Sequence, residues 1–268
     1  MFKDLTLGQY YPVDSPIHRL DPRTKLLSTF VYLVTLFVAG NFWGYLLAAV
    51  WLFTLIALSK IPLGYMLRGL RGILFLLLLS VFINMLFTPG TVVFSFWIIR
   101  VTREGLRQAL RMAVRLTLLL LGSSLMTFTT TPTELTAGLE KGLHFLTFFG
   151  VPVHEIAMMM SIALRFLPVL TEELDKIRKA QMARGADFES GNFINRTKAL
   201  IPVLIPLFVS AFRRAGELAT AMEARCYHGG EGRTKMKPLR YAKADRIYYA
   251  ALLLYVILMI LTRTVLAS

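Results

Sequence analysis

Apolar positions run without a charge from Leu26 to Ser59. About 20 helical residues cross a hydrocarbon core, so this run is too long for one crossing. Gly40-Asn41-Phe42-Trp43-Gly44 interrupts it near the middle, and Gly and Asn are turn formers. The pattern predicts a helical hairpin with spans near 26–40 and 43–58, with Trp43 and Tyr45 at the water interface, where amphipathic rings are favoured. A second uncharged stretch covers residues 72–99. Leu70 to Phe87 is expected to span once and to end at Pro89-Gly90. Val92–Ile99 is too short to cross again as a helix. It is rich in β-formers and aromatic rings (Val92, Val93, Phe94, Phe96, Trp97), and is expected at the interface or lining the bundle.

The next span is less clean. Leu116–Thr133 is uncharged but holds Thr127, Thr129, Thr130 and Thr131. A full crossing must reach back past Arg115 and towards Arg111. Arg103, Arg107, Arg111 and Arg115 recur every four residues and drift slowly around one helix face. The favoured reading is snorkelling near the helix start plus contacts inside the bundle. An Arg-lined substrate path is a weaker reading, and a voltage sensor weaker still. The last span is Ile247–Thr262, short between Arg246 and Arg263.

Between the fourth and fifth spans the pattern changes. Pro132, Thr133, Glu134 and Glu140 among Leu135, Leu139 and Leu143 predict an amphipathic helix that Thr133 can cap and that ends before Gly150. A long helical pattern follows from 153 to 184. Its first part is mostly apolar, interrupted by Arg165 and Pro168, and its second part, Glu172–Arg184, is charged. Gly185 is placed to stop it. A second unit has the same plan: apolar residues 199–212 with Pro202 and Pro206, then a charged helix ending at Arg225-Cys226, with Gly229 and Gly230 beyond. Two long helices, 153–184 and 196–225, are expected to cross each other obliquely to the membrane.

Composition agrees: hydrophobic residues make up 56% and mean hydropathy is +0.59. The net charge of +14 would point to nucleic acid in a soluble chain. Here the basic residues border spans, and no nucleic-acid-binding motif carries them. Lys3, Arg19, Arg23 and Lys25 precede span 1, Lys60, Arg68 and Arg71 lie between spans 2 and 3, and Arg233, Lys235, Lys237, Arg240, Lys243 and Arg246 precede the last. The positive-inside rule then gives a cytoplasmic N-terminus, five spans and an external C-terminus. Arg100 and Arg103 fall on the outer side in this scheme. Asp4, Asp14 and Asp21 argue against a cleavable signal peptide. Cys226 is the single cysteine, so no internal disulfide or cysteine metal cluster forms.

The two charged helices end in Ala183-Arg184-Gly185 and Ala224-Arg225-Cys226. A helix C-terminus carries partial negative charge that suits a terminal Arg, and a guanidinium can make a two-pronged bond to a partner carboxylate. Small flanking residues keep such a tip narrow enough for a groove. The blander reading is that both arginines cap their helices or bind lipid phosphate.

Three segments then carry a resemblance: Ile17-His18-Arg19-Leu20-Asp21-Pro22-Arg23-Thr24-Lys25-Leu26, Ala163-Leu164-Arg165-Phe166-Leu167-Pro168, and Lys179-Ala180-Gln181-Met182-Ala183-Arg184-Gly185-Ala186-Asp187. With the second Arg tip, they make essentially the whole chain resemble the transmembrane coupling subunit, the T component, of energy-coupling factor (ECF) transporters. The second tip reads Ala-Arg-Cys where Ala-Arg-Gly is usual at the first. The resemblance implies an all-α integral membrane protein with about five transmembrane helices and long cytoplasmic coupling helices. It implies two cytoplasmic ABC ATPase subunits, each receiving one tip in a groove through Arg184 or Arg225, with Ala183, Gly185, Ala224 and Cys226 shaping the tips. It implies a separate small membrane-embedded S component that binds a vitamin or other micronutrient. The chain itself would be non-catalytic and would carry no cofactor or metal; it has no Gly-rich loop followed by Lys-Ser/Thr. The setting implied is a bacterial or archaeal cell membrane.

The remaining residues take structural readings. Pro22 fixes an approach turn, Asp21 pairs locally, and Arg23 and Lys25 anchor span 1. Arg165 beside Pro168 reads as a buried structural arginine. Met158, Met159 and Met160 offer an adaptable helix surface. The expected division is 1–131 with four spans, 132–230 with the coupling helices, and 231–268 with a basic linker and the last span. A self-contained carrier would need an intramembrane polar or charged site, yet the spans are few and poor in acidic residues, with none between Asp21 and Glu104. A lipid-modifying enzyme would need a His cluster, yet His18, His144, His154 and His228 are scattered.

Overall fold

The computed structural model describes residues 10–70, 72–96, 99–186, 188, 193–229 and 238–265. Lys3, Asp4, Arg71, Trp97, Asp187, Gly230, Arg233, Lys235 and Lys237 lie outside the described residues. The elements are α1 (Pro22–Val38), α2 (Phe42–Ser59), α3 (Leu63–Leu70), α4 (Leu74–Phe87), β1 (Val92–Phe96), β2 (Ile99–Thr102), α5 (Arg103–Thr129), α6 (Pro132–Gly142), a 3-10 turn (His144–Phe149), α7 (Val153–Ala183), α8 (Phe193–Glu223) and α9 (Lys243–Val265). The chain divides into two compact units, one built on residues 8–139 and 239–268 and the other on residues 140–238.

The first unit is an antiparallel bundle of α1, α2, α5 and α9, with α3 and α4 packed on α5. Asp21 caps α1 by accepting from the Arg23 backbone N–H, and Pro22 opens the helix, where its missing N–H costs nothing. The span therefore begins four residues before the uncharged run, and Pro22 starts a helix rather than an approach turn. Tyr32 of α1 is buried against Gly122 of α5, where a Cβ would stand 2.5 Å from the Tyr32 ring. That glycine is required for close approach of the two helices. α9 joins through Thr35 Oγ1 and the Tyr255 hydroxyl, 2.8 Å apart, and through Trp51 stacked on Tyr255. Asp245 at the start of α9 accepts from the Asp21 N–H, and Met259 lies near Gly44. Thus α9 runs in the same direction as α1 and opposite to α2 and α5.

Two cations lock the α1–α5 pair. Lys25, 4% exposed, donates from Nζ to the Thr129 carbonyl at the end of α5 and to the His18 carbonyl. Arg115 of α5 donates to the Tyr45 hydroxyl, at 2.6 and 2.9 Å, and to the Ala39 carbonyl at the end of α1. This corrects two expectations. Lys25 is buried in the bundle rather than anchored at a water interface, and Tyr45 is buried as an arginine partner while Trp43 is exposed.

Other boundaries shift for local reasons. The span expected over Leu70 to Phe87 begins only at Leu74, as α4, and Leu70 instead ends a separate short helix, α3. α5 is continuous from Arg103, because Thr102 Oγ1 caps it by accepting from the Gly105 N–H. The segment expected at the interface or lining the bundle forms an antiparallel ribbon, β1 with β2, whose register shifts between Val92 and Phe94. α6 is capped by Thr131, not Thr133: Thr131 Oγ1 accepts from Glu134 N–H, and the Glu134 carboxylate accepts from Thr131 N–H. This is a reciprocal capping box. Among the described residues five helices are long and apolar enough to cross a membrane: α2, α5, α7, the Lys198–Glu223 part of α8, and α9. The number equals the five spans read from the sequence, but the set differs. α1 and α4, with 17 and 14 residues, are shorter, while α7 and α8 qualify through their apolar halves.

Candidate functional site: two arginine tips on one helical hairpin

The second unit is built around α7 and α8. Both are 31 residues long and both tolerate internal prolines, Pro168 in α7 and Pro202 and Pro206 in α8. Their pairing is read from three bonds. Glu173 accepts from the Ser210 hydroxyl at 2.5 Å and from Arg214 at 2.8 Å, and Gln181 Nε2 donates to the Pro202 carbonyl at 3.2 Å. As the α7 number rises, the α8 number falls, so the helices are antiparallel. Ile162, Phe166 and Leu170 face Ala215, Leu218 and Met222 across a cleft between them. Glu173 and Arg214 are each only partly exposed, which favours a charge-assisted bond over a freely solvated pair.

The ends of the two helices share one geometry. At the first, Gly185 N–H donates to the Met182 carbonyl and Ala186 N–H to the Gln181 carbonyl. At the second, Cys226 N–H donates to Glu223 and Tyr227 N–H to Met222. Both are Schellman motifs, with the left-handed residue following the arginine: φ is +88° at Gly185 and +56° at Cys226. The α8 assignment stops one residue earlier relative to this cap, an ordinary disagreement at a helix end. Arg184 and Arg225 therefore occupy the same cap position, and both are exposed, as are Ala183, Gly185, Ala224 and Cys226. Among the described residues no ion pair holds either arginine. The antiparallel pairing sends the two tips to opposite ends of the hairpin. At 1.5 Å per helical residue they stand roughly 40 Å apart along its axis.

The other singled-out residues sit elsewhere. Asp21, Pro22, Arg23 and Lys25 gather at the base of the bundle. Arg23 bonds both carboxylate oxygens of Asp21 at 3.0 Å and lies over the Tyr241 ring. The Arg23 guanidinium and backbone N–H beside Asp21 hold its carboxyl below the usual range, against the opposing effect of burial. The expected local pairing of Asp21 is thus present. Arg165 is corrected: it is exposed on α7, as is Pro168, because the partner-facing stripe runs through Ile162, Phe166 and Leu170 and passes beside it. Met159 and Met160 are exposed, with Ile156, Leu167 and Val169; on α8 so are Leu204, Ile205, Phe208, Val209 and Phe212. The sequence reading missed the Glu173–Ser210–Arg214 staple. Its only signal was one acidic residue on the apolar stripe of α7.

A left-handed backbone costs an L-residue about 1–2 kcal/mol relative to glycine. Cys226→Gly is therefore expected to slow hydrogen exchange at the second tip, in the Cys226 and Tyr227 amides, about fivefold. Gly185→Ala should accelerate exchange at the first tip. Unchanged exchange in both variants would mean that the caps do not order the tips.

A family model described as cobalt transport protein, CbiQ, matches residues 14–236. A protein of Ruminiclostridium cellulolyticum called energy-coupling factor transporter transmembrane protein EcfT is 53% identical over 91% of this chain and 92% of its own length. Proteins of the same name from Clostridium kluyveri (51% identical; 98% of both chains) and Bacillus subtilis (43%; 98% of this chain and all of the relative) extend the likeness to nearly every residue. The chain belongs to the CbiQ family, as a non-catalytic transmembrane component of the energy-coupling factor transporters.

Proposed function

We propose that this chain couples ATPase motion to substrate entry in an ECF importer, with one arginine tip for each of two cytoplasmic ABC ATPases. The observation that carries the reading is the repeated cap: Arg184 and Arg225 end two antiparallel helices in the same Schellman geometry, exposed and without an ion-pair partner among the described residues. One rigid hairpin with a cationic point at each end suits a pair of symmetric motors. The exposed apolar side chains of α7 and α8 are the surface proposed for the S component, which binds a vitamin or other micronutrient. Movement of the ATPases would tilt the hairpin and shift that surface, toppling the S component between outward and inward access. In this reading residues 1–131 and 231–268 hold the subunit in the bilayer of a bacterial or archaeal cell, and residues 132–230 do the coupling.

The same reading assigns a cytoplasmic N-terminus and an external C-terminus. The parallel run of α1 and α9 supports opposite sides for the two ends, because both helices start at the Asp21–Asp245 contact. A reporter fused after Ser268 should report an external position; a cytoplasmic signal would overturn the odd number of crossings.

Arg184→Ala or Arg225→Ala should leave the subunit folded and inserted, since both side chains are exposed. Removing one partner of a buried interfacial charge pair costs about 2–5 kcal/mol, so ATPase retention in a pull-down should fall at least tenfold. Glu at either position should be worse, because it also opposes the helix-end dipole. The double Ala variant should lose vesicle uptake while substrate binding by the S component survives. Normal uptake with normal ATPase retention in the double variant would refute the role of these tips.

A further inference from the structure

The arginines of α5 crowd the end of the bundle opposite Lys25. Arg115 marks the level of the α1–α2 turn, because it bonds the Ala39 carbonyl. Exposed rings at that turn, Phe42 at 74% and Trp43 at 54%, suit the height of a membrane interface. From there to Arg103, α5 continues for about 18 Å. Arg103, Arg107 and Arg111 are exposed on this stretch, and among the described residues none of them, nor Arg115, is in an ion pair.

Carboxylates do not balance them. Asp21, Asp245, Asp14 and Glu134 belong to the opposite end of the unit, around the start of α1 and the end of α5. Among the described carboxylates of this unit Glu104 alone stands beside the arginines, and its oxygens accept from the Thr91 backbone N–H and hydroxyl. Arg107 and Arg111 are one turn apart, so their side chains are neighbours, and like charges at that spacing repel. The same exposed face carries Leu106, Leu110 and Val114, at 54%, 65% and 36%. The two arginines stand about 6 and 12 Å to the water side of the turn level, Leu110 lies between them, and Val114 carries the apolar face on towards the bundle, an order that complements a phosphate attached to an acyl chain. A soluble acidic partner would leave those apolar side chains uncovered.

We propose that Arg107 and Arg111 hold the phosphate headgroup of an anionic phospholipid whose acyl chain runs past Val114 towards the bundle, in the leaflet facing the α1–α2 turn. Arg115 is a positioning residue that fixes α5 at the height of that turn. The site does not depend on the role of the arginine tips, and its test reads lipid rather than transport.

The full chain in micelles containing equal amounts of phosphatidylglycerol and phosphatidylcholine is examined by native mass spectrometry for retained lipid. Wild type should retain phosphatidylglycerol preferentially. Each arginine near an anionic surface contributes roughly a fivefold gain, equivalent to about 1 kcal/mol. The preference should fall stepwise in Arg107→Gln and in the Arg107→Gln/Arg111→Gln variant, and largely survive in Arg107→Lys/Arg111→Lys. The exposed side chains should allow all three to fold, which far-UV circular dichroism checks, and Arg240→Gln, at the other end, should keep the full preference. Equal retention of both lipids by wild type, or an undiminished preference in the double Gln variant, would overturn the proposal. Displacement of the lipid by millimolar inorganic phosphate would overturn it too, as a free-phosphate site.

Discussion

Two cations exchanged between antiparallel helices set the geometry of the membrane bundle. Lys25, near the start of α1, donates to the last carbonyl of α5, and Arg115 of α5 donates to the carbonyl that closes α1. Each helix thereby places a positive group on the other's C-terminus, where unpaired carbonyls and the helix dipole both favour it. Among the described residues neither cation is in an ion pair, so carbonyl and hydroxyl partners, the helix dipoles and, for Lys25, the more distant charges of Glu134, Asp245 and Asp21 offset the desolvation. The spacing of the two locks fixes the register between them, and Gly122 lets Tyr32 sit in the seam. α9 adds to this pair through Asp245 and Tyr255, and α3 through Met66 and Tyr65 beside Phe128.

The hairpin of α7 and α8 works on a different principle. Antiparallel pairing alone separates the two C-termini, so the chain presents two equivalent tips at opposite ends without needing internal symmetry elsewhere. A parallel pair would bring both tips to one end, where a single partner would cover them. Glu173 holds the pair through Ser210 and Arg214, and among the described residues neither tip is in an ion pair. The apolar side chains left exposed on both helices are abundant, which is why α7 and part of α8 resemble membrane spans by length and hydropathy. For a family of transport components, such a surface fits another membrane protein better than water.

Much of this was legible in the sequence because it is periodic or punctuated. The break at Gly40–Gly44, the stop at Pro89-Gly90 and the two Ala-Arg ends all follow from local rules. The repeated offset between Gly185 and Cys226 also carries the shared cap, though only the backbone shows that Cys226 takes the glycine conformation. What was not legible is long-range. Nothing near Lys25 in sequence shows that it meets the far end of α5, so there it reads only as an anchor of span 1. The arginines of α5 read as snorkelling with contacts inside the bundle, and Arg115 makes such contacts, though only the fold identifies Tyr45 and Ala39 as its partners. Arg165 was misjudged because burial depends on which stripe of α7 meets α8. Thr133 is the residue type a cap needs, but the reciprocal bonds with Glu134 show that Thr131 takes the position.

The central claim is that one rigid hairpin keeps the two arginine tips apart in the assembled transporter. Spin labels at Met182→Cys and Glu223→Cys, on a Cys226→Gly background, leave both arginines in place, and their separation can be measured by pulsed electron resonance in the complex with its ATPases. The account predicts a narrow distribution near 35 Å, the axial run of the helices between these positions at 1.5 Å per residue. A distribution centred below about 20 Å would mean that the tips converge, and would contradict the antiparallel hairpin on which the coupling reading rests.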